Sequence, residues 1–119
     1  EQHIADFRPT IIYVPSITKH QDHEALHHAA VTAMRPYFWN GTAFVYETDG
    51  ELSFQPQYFV PLTRTEMAKK AAALKTYRTQ LQPAPHPVSE EILRSKAEFR
   101  GSQIFAEFAE AFQVLRIRG

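Results

Sequence analysis

Hydrophobic and polar positions follow one another along the first third of the chain with two different periods, which predict a strand and helices. The run from Ile11 to Val14 is apolar and β-branched and lies between two prolines, which predicts a buried strand. Beyond Asp22, apolar residues recur every three or four positions as far as Pro36, which predicts a helix. Asp22 is expected to be the N-cap of this helix or to lie in its first turn, and residues 1–8 predict the end of an earlier helix.

The middle of the chain predicts two further strands and one strong turn. Residues 43–47 predict a strand, Asp49-Gly50 is a typical turn dipeptide, and the YFVPL segment at residues 58–62 predicts another short strand. Strands and helices that follow one another in this way are typical of an α/β fold, in which functional sites collect just outside the carboxyl ends of the strands.

The last third of the chain predicts two helices and a closing strand. A threonine cap at position 63 or 65 opens an amphipathic helix that is expected to run to Leu81. Ser89 opens a second helix, which is expected to end at Arg100-Gly101. Residues 102–119 are expected to begin as a helix and to end as an apolar strand over residues 113–117.

Composition limits the class of protein and the kind of metal site. The chain has 119 residues, of which 44% are hydrophobic and 22% charged, so we expect residues 1–119 to form a single domain or half-domain. A formal net charge of +0 gives no sign of a nucleic-acid partner, and no apolar run approaches the length of about 20 residues that a membrane span needs. No signal peptide is visible in a chain that begins with Glu1, and a cytoplasmic location is expected. Because cysteine is absent, a metal would need histidine and carboxylate ligands.

Four of the six histidines lie between residues 16 and 31, where the first strand gives way to the second helix. His20 on the loop and His23 near the first turn are placed to face one pocket, where one imidazole could bind zinc and the other act as a general acid or electrophile. Asp22 could hold one of these imidazoles in the required tautomer. The alternative is that these histidines are polar surface residues at the start of a helix.

The histidine cluster does not complete a zinc site. His23 and His27 are four residues apart, as in the helical zinc proteases, but no further ligand of that motif follows, so His27 and His28 are interpreted as residues of the helix surface. Catalytic zinc usually takes three protein ligands, and Asp6, Glu47 and Asp49 are candidates only by default. Either another chain supplies the remaining ligands or this chain is incomplete.

The segment TKHQDHEALHHAAVTAMR, residues 18–35, resembles the second signature of the PIG-L/LmbE family of zinc-dependent de-N-acetylases. That signature reads His-(Pro or Gln)-Asp-His and leads from a strand into a helix. FVYETDGELSFQPQYFVPL, KKAAALKTYRTQ and the closing RG and FAEAF pieces are similar to later family segments and occur in the same order. The resemblance covers roughly residues 9 to 118.

The resemblance implies part of a Rossmann-like three-layer α/β/α fold, with the N-terminal half of the family fold missing. It assigns His23 as a zinc ligand, His20 as the histidine that stabilises the oxyanion, and Asp22 as the acid that orients His20. The Zn²⁺ ligand set is therefore incomplete in this chain, because the family's first signature, His-Pro-Asp-Asp, is absent. Thr18 departs from the aspartate of many relatives, and no substrate-binding residue is assigned. Three further positions match recurrent family residues, each with an equally good structural interpretation: Glu47, Gln80 and Glu110.

For the intact protein, the resemblance implies a hydrolase that removes the N-acetyl group from an N-acetylglucosamine-type sugar or glycoconjugate and releases acetate. The missing N-terminal half is the implied partner, and a homo-oligomer is possible. Two alternatives stay open at this point. The first alternative is that the chain is an inactive part of the fold that needs its partner half. The second is that it is a degenerate relative that binds sugar without hydrolysing it.

Overall fold

A computed structural model describes all residues from Glu1 to Gly119, and the chain divides into two compact units. The first unit contains Glu1–Tyr58 and Phe112–Gly119, and the second contains Phe59–Ala111. The elements follow in the order α1 (Gln2–Phe7), β1 (Ile11–Pro15), β2 (Ile17–Thr18), α2 (Gln21–Ala33), β3 (Thr42–Tyr46), β4 (Glu51–Ser53), β5 (Tyr58–Leu62), α3 (Arg64–Lys75), α4 (Glu90–Ser102) and β6 (Phe108–Arg116). None of these helices is long and apolar enough to cross a membrane.

Four strands form a mixed sheet in the order β1-β3-β6-β5, and β2 and β4 form a separate antiparallel pair. β1 and β3 are parallel, with Ile11 opposite Thr42 and Pro15 opposite Tyr46, and α2 lies between them in the chain. β3 and β6 are antiparallel. Parallel strands joined through a helix form a βαβ unit, so the predicted α/β fold class is confirmed.

The first unit has an apolar core on one side of the parallel strands. Val14, Ala43 and Val45 pack with Met34, the residue that ends α2, and each is at most 5% exposed. Trp39 and several half-buried side chains pack against this group. Burial of a valine side chain contributes roughly 1.5–3 kcal/mol, so these contacts hold α2 against the strands.

Aromatic rings form a second group in the first unit. Phe44 stacks with Tyr13 at a ring-centroid distance of 5.7 Å and with Tyr58 at 5.0 Å, and Phe112 lies 5.4 Å from Tyr13 and 6.4 Å from Tyr58. Each such pair contributes about 0.5–1.5 kcal/mol beyond its buried area. The rings come from β1, β3, β5 and β6, so they join the beginning and the end of the chain.

The second unit packs α3 and α4 around Met67, Ala97 and Phe108. α3 begins as predicted, because the Thr63 side chain accepts from the Glu66 N–H while the Glu66 carboxylate accepts from the Thr63 N–H. Ser89 likewise caps α4 by accepting from the Ile92 N–H over 3.2 Å. The predicted N-termini of both helices are therefore confirmed.

Two predicted boundaries are wrong, each for a local reason. α3 ends at Lys75 rather than Leu81, where the Thr76 hydroxyl donates to the Ala73 carbonyl over 2.7 Å and competes with helix continuation. No helix forms over residues 103–112. The Gly101 carbonyl there accepts from the N–H of Ala106, Phe105 adopts a left-handed φ of 59°, and β6 begins at Phe108.

Candidate active site

α2 begins six residues after the end of β1, with β2 between them, and His20 is its N-cap. His20 has extended backbone angles, and its ring Nδ1 accepts from the Asp22 N–H over 3.2 Å. A nitrogen that accepts this bond carries a lone pair, so the neutral ring carries its proton on Nε2. The cap therefore turns the protonated nitrogen of His20 away from the helix backbone.

Thr18, the last residue of β2, holds both histidines of the pair. Its side chain is buried, with 1% exposure. The Thr18 Oγ1 accepts from the His20 N–H over 2.9 Å and is 3.0 Å from the His23 Nδ1. A single hydroxyl thus fixes the backbone at His20 and one ring nitrogen of His23.

The structure brings His20 and His23 together. Their ring centroids are 4.9 Å apart and the planes make an angle of 27°, so the imidazoles are stacked. The His20 side chain is 61% exposed and His23 is half-buried. Two stacked, accessible imidazoles at the start of one helix are a suitable group for donating hydrogen bonds to an oxygen or for binding a cation.

Asp22 lies in the first turn of α2, which is one of the two positions that the sequence predicted for it. Its carboxylate Oδ2 is 4.0 Å from the His20 Nδ1, and both side chains are exposed, at 78% and 61%. The closer contact to that ring nitrogen is the Asp22 main-chain N–H. In this structure the main-chain N–H of Asp22 orients the His20 ring, and the two exposed side chains are in distant contact only.

His27 and His28 differ in their surroundings. The His27 Nδ1 lies 2.7 Å from the Pro15 carbonyl oxygen and is half-buried. Since a carbonyl only accepts, His27 donates this bond from a protonated Nδ1. His28 is exposed and lies 3.8 Å from the Glu24 carboxylate, one turn earlier on the helix.

The buried hydroxyl of Ser16 links the ends of two strands. Ser16 has 0% exposure, and its Oγ accepts from the Thr48 N–H over 3.2 Å and lies 2.6 Å from the Thr48 Oγ1. The Ser16 N–H donates to the Tyr46 carbonyl over 3.0 Å. These bonds join the chain after β1, two residues before Thr18, to the chain after β3.

The remaining sequence-predicted residues do not join the histidine pair in a metal centre. Glu110 forms an ion pair with Lys70 over 2.6 Å, and Gln80 lies in an exposed turn after α3. Glu47 and Asp49 follow β3 and are half-buried, and Asp6 on α1 accepts from Gln2 over 2.7 Å. The structure contains no group of three or more histidine, cysteine, aspartate or glutamate side chains placed to hold a metal ion. His23 suits zinc as one nitrogen ligand, and the chain by itself does not form a complete zinc site.

Sequence reasoning missed what Thr18 and His27 contact. The family pattern marks Thr18 only as a departure, and helical spacing marks His27 only as a surface residue. The hydroxyl of Thr18 precedes His20 by two residues, which is the spacing of a side chain that accepts a backbone N–H in a turn. That spacing was a usable signal for Thr18, whereas the contact between His27 and Pro15 depends on how the helix packs against the strand.

Comparison with known proteins gives a result at the level of the fold. No family model matches the chain, and no curated protein matches it by sequence. A conserved protein of Thermus thermophilus, TT1542, matches 99% of this chain and 57% of its own with a TM-score of 0.80 and 22% identity. The zinc-inhibited form of teicoplanin deacetylase Orf2 matches 95% of this chain and 47% of its own with a TM-score of 0.74 and 19% identity. The chain spans about half the length of these two proteins and has the α/β fold of the part that it matches.

Proposed function

We propose that this chain carries the second half of the active site of a metal-dependent deacetylase that acts on an N-acetylated sugar. The observation on which the proposal depends is the stacking of His20 and His23 at the start of α2, with a centroid distance of 4.9 Å. Three features support it: the His-Gln-Asp-His sequence, the position of the pair where the chain passes from a strand into a helix, and the fold shared with a teicoplanin deacetylase.

His20 is the residue that would act on the substrate. Its ring presents a protonated Nε2, and an N–H at this position can donate to the oxyanion that develops when an acetamide carbonyl is attacked. Loss of such a donor typically lowers the rate about 10²- to 10³-fold. The main-chain N–H of Asp22 keeps the ring in this tautomer.

His23 would contribute one ligand to zinc. A zinc ion bound at such a site polarises a substrate carbonyl and lowers the pKa of a bound water toward about 7. Because the chain forms no three-ligand group, the remaining ligands and the general base would come from outside these 119 residues. The substrate class, an N-acetylglucosamine-type sugar on a larger molecule, follows from the family resemblance.

Zinc content and acetate release test the proposal on this chain and on the chain joined to the residues that its gene encodes before Glu1. For the active form we expect one zinc per chain and release of acetate from an N-acetylglucosamine glycoside. His23→Ala should lose zinc, and His20→Ala should keep zinc and lose turnover about 10²- to 10³-fold. His28→Ala, an exposed change on the same helix, should change neither quantity. Equal zinc loss in the His20 and His23 variants would contradict the assigned roles.

A second candidate is a sugar-binding protein without hydrolytic activity, which is the alternative that the sequence leaves open. Sugar binding without zinc and without acetate release, measured by calorimetry with the same glycoside, would support this alternative.

A further inference from the structure

Thr18 makes two hydrogen bonds, and together they determine where the proton of its hydroxyl lies. A threonine hydroxyl has one proton to donate and two lone pairs with which to accept. The His20 N–H already donates to Oγ1 over 2.9 Å, so this contact uses a lone pair. In the second contact, Oγ1 lies 3.0 Å from the His23 Nδ1, and this nitrogen is the available acceptor for the hydroxyl proton.

Burial determines the acceptor to which the Thr18 hydroxyl donates. The Thr18 side chain has 1% exposure, so water does not offer its hydroxyl an alternative acceptor. A buried hydroxyl that donates to no acceptor is disfavoured by roughly a factor of ten or more. The favourable arrangement is therefore Oγ1–H donating to the unprotonated Nδ1 of His23, which leaves the proton of the neutral ring on Nε2.

We infer that Thr18 is a positioning residue that holds the neutral His23 ring in the Nε2–H tautomer by donating its hydroxyl proton to Nδ1. What the inference implies for zinc binding rests on the proposed function, whereas the tautomer is a property of the chain itself. In the metal-free chain, His20 and His23 then both carry protons on Nε2 and both act as hydrogen-bond donors.

Zinc binding requires the opposite state of His23. A metal ion takes a ring nitrogen that carries a lone pair, and the other nitrogen usually donates its proton to a neighbouring oxygen. A zinc ion held on the Nε2 of His23 would require the ring proton on Nδ1, which would then donate to the Thr18 Oγ1 in place of the present bond. Thr18 thereby couples the metal-bound state of His23 to the orientation of a buried hydroxyl.

Nitrogen-15 NMR of the histidine rings tests the tautomer directly. In mildly alkaline solution without added metal, we expect the chain to show roughly a tenfold excess of Nε2–H over Nδ1–H at His23. His23→Gln identifies the resonances by their loss. Thr18→Ser, which keeps the hydroxyl, should preserve the tautomer, and Thr18→Val, which is similar in shape and cannot donate, should give a mixture of both.

The outcomes separate this inference from the proposed function. A wild-type His23 with its proton on Nδ1, or a Thr18→Val chain with an unchanged tautomer, overturns the inference and leaves the proposed function standing. If the Thr18→Val chain does not fold, the wild-type and Thr18→Ser spectra still decide. Added Zn²⁺ should move the His23 proton to Nδ1. Zinc that binds without altering this ring would show that His23 is not a ligand, which contradicts the proposed function and the zinc part of the inference together but not the tautomer.

Discussion

The His27 imidazole donates from Nδ1 to the Pro15 carbonyl over 2.7 Å, and this bond joins the middle of α2 to the last residue of β1. Pro15 is buried, so its carbonyl has no ready replacement for that donor. His20 and His23 precede His27 on the same stretch of chain. The bond therefore helps to fix where the stacked pair stands relative to the sheet.

Replacement of His27 by alanine should lower the free energy of unfolding by about 1–3 kcal/mol, because it leaves a buried carbonyl without a partner. His28→Ala is the matched control. It removes only an exposed contact with Glu24 at 3.8 Å and should change stability by about 0.5 kcal/mol or less. Urea denaturation measures both variants, and equal effects would contradict a special role for His27.

Arg116 should not tolerate replacement by lysine. Its guanidinium donates to the carbonyls of Gly41, Met34 and Trp39 at 2.8–3.2 Å and lies 5.2 Å from the centre of the Trp39 ring. An ammonium group cannot reproduce this planar set of donors. Arg116→Lys should therefore cost about 1.5–3 kcal/mol in thermal or urea unfolding. Arg118→Lys, at an exposed residue whose side chain bonds one carbonyl at 3.0 Å, should cost about 0.5 kcal/mol or less.

Gly101 should not tolerate a side chain. A Cβ at this position would lie 2.6 Å from the Ala106 carbonyl oxygen and 2.9 Å from main-chain atoms of Glu107. Because these neighbours are backbone, Gly101→Ala should destabilise the chain by about 1–3 kcal/mol. At Gly50, where φ is +70° and the space is open, Asn tolerates the backbone and should cost less than about 1 kcal/mol. Similar melting temperatures for the two variants would refute this explanation.

The capping box of α3 should weaken in acid. Hydrogen bonds from the Thr63 N–H and hydroxyl hold the pKa of Glu66 below its ordinary value. A pKa that folding lowers contributes stability above the unfolded value of about 4.3, and this contribution is lost as the pH falls through the folded pKa. Glu66→Gln should therefore be less stable than the wild type at pH 7, and the difference should shrink as the pH falls below about 4.3. Glu98→Gln, at an exposed residue of α4, serves as the control in circular dichroism at each pH.

Local patterns predicted the elements that depend on neighbouring residues. The apolar run at β1, the three- and four-residue spacing in α2 and the caps at Thr63 and Ser89 all correspond to observed elements. The pairing of β2 with β4 could not be predicted in the same way, because Ile17 and Ser53 are brought together only by the folded chain. The Asp49-Gly50 turn is present, but the strand after it pairs with β2 rather than folding back on β3.

In the candidate site too, local spacing predicted some features, whereas others depend on how distant segments pack. The spacing of His20 and His23 placed both imidazoles at the start of a helix, where their rings stack, and the common pocket that the spacing suggested stays a prediction. The bond from His27 to Pro15 depends on packing between α2 and β1, which no local pattern contains. Gly101 was predicted to end a helix, and its close contact with the backbone of residues 106 and 107 shows a different reason for glycine there.

The nine-residue strand β6 begins in the second unit and finishes in the first. During synthesis, the first 58 residues therefore emerge without the strand that pairs with β3, and without Arg116. The first unit resumes at Phe112, whose carbonyl accepts from the N–H of Gln57, one residue before the first unit is interrupted, over 2.9 Å. Synthesis must therefore proceed past Phe112 before the histidine-bearing unit can complete its sheet, so the folding of this unit depends on contacts between residues that are far apart in the sequence.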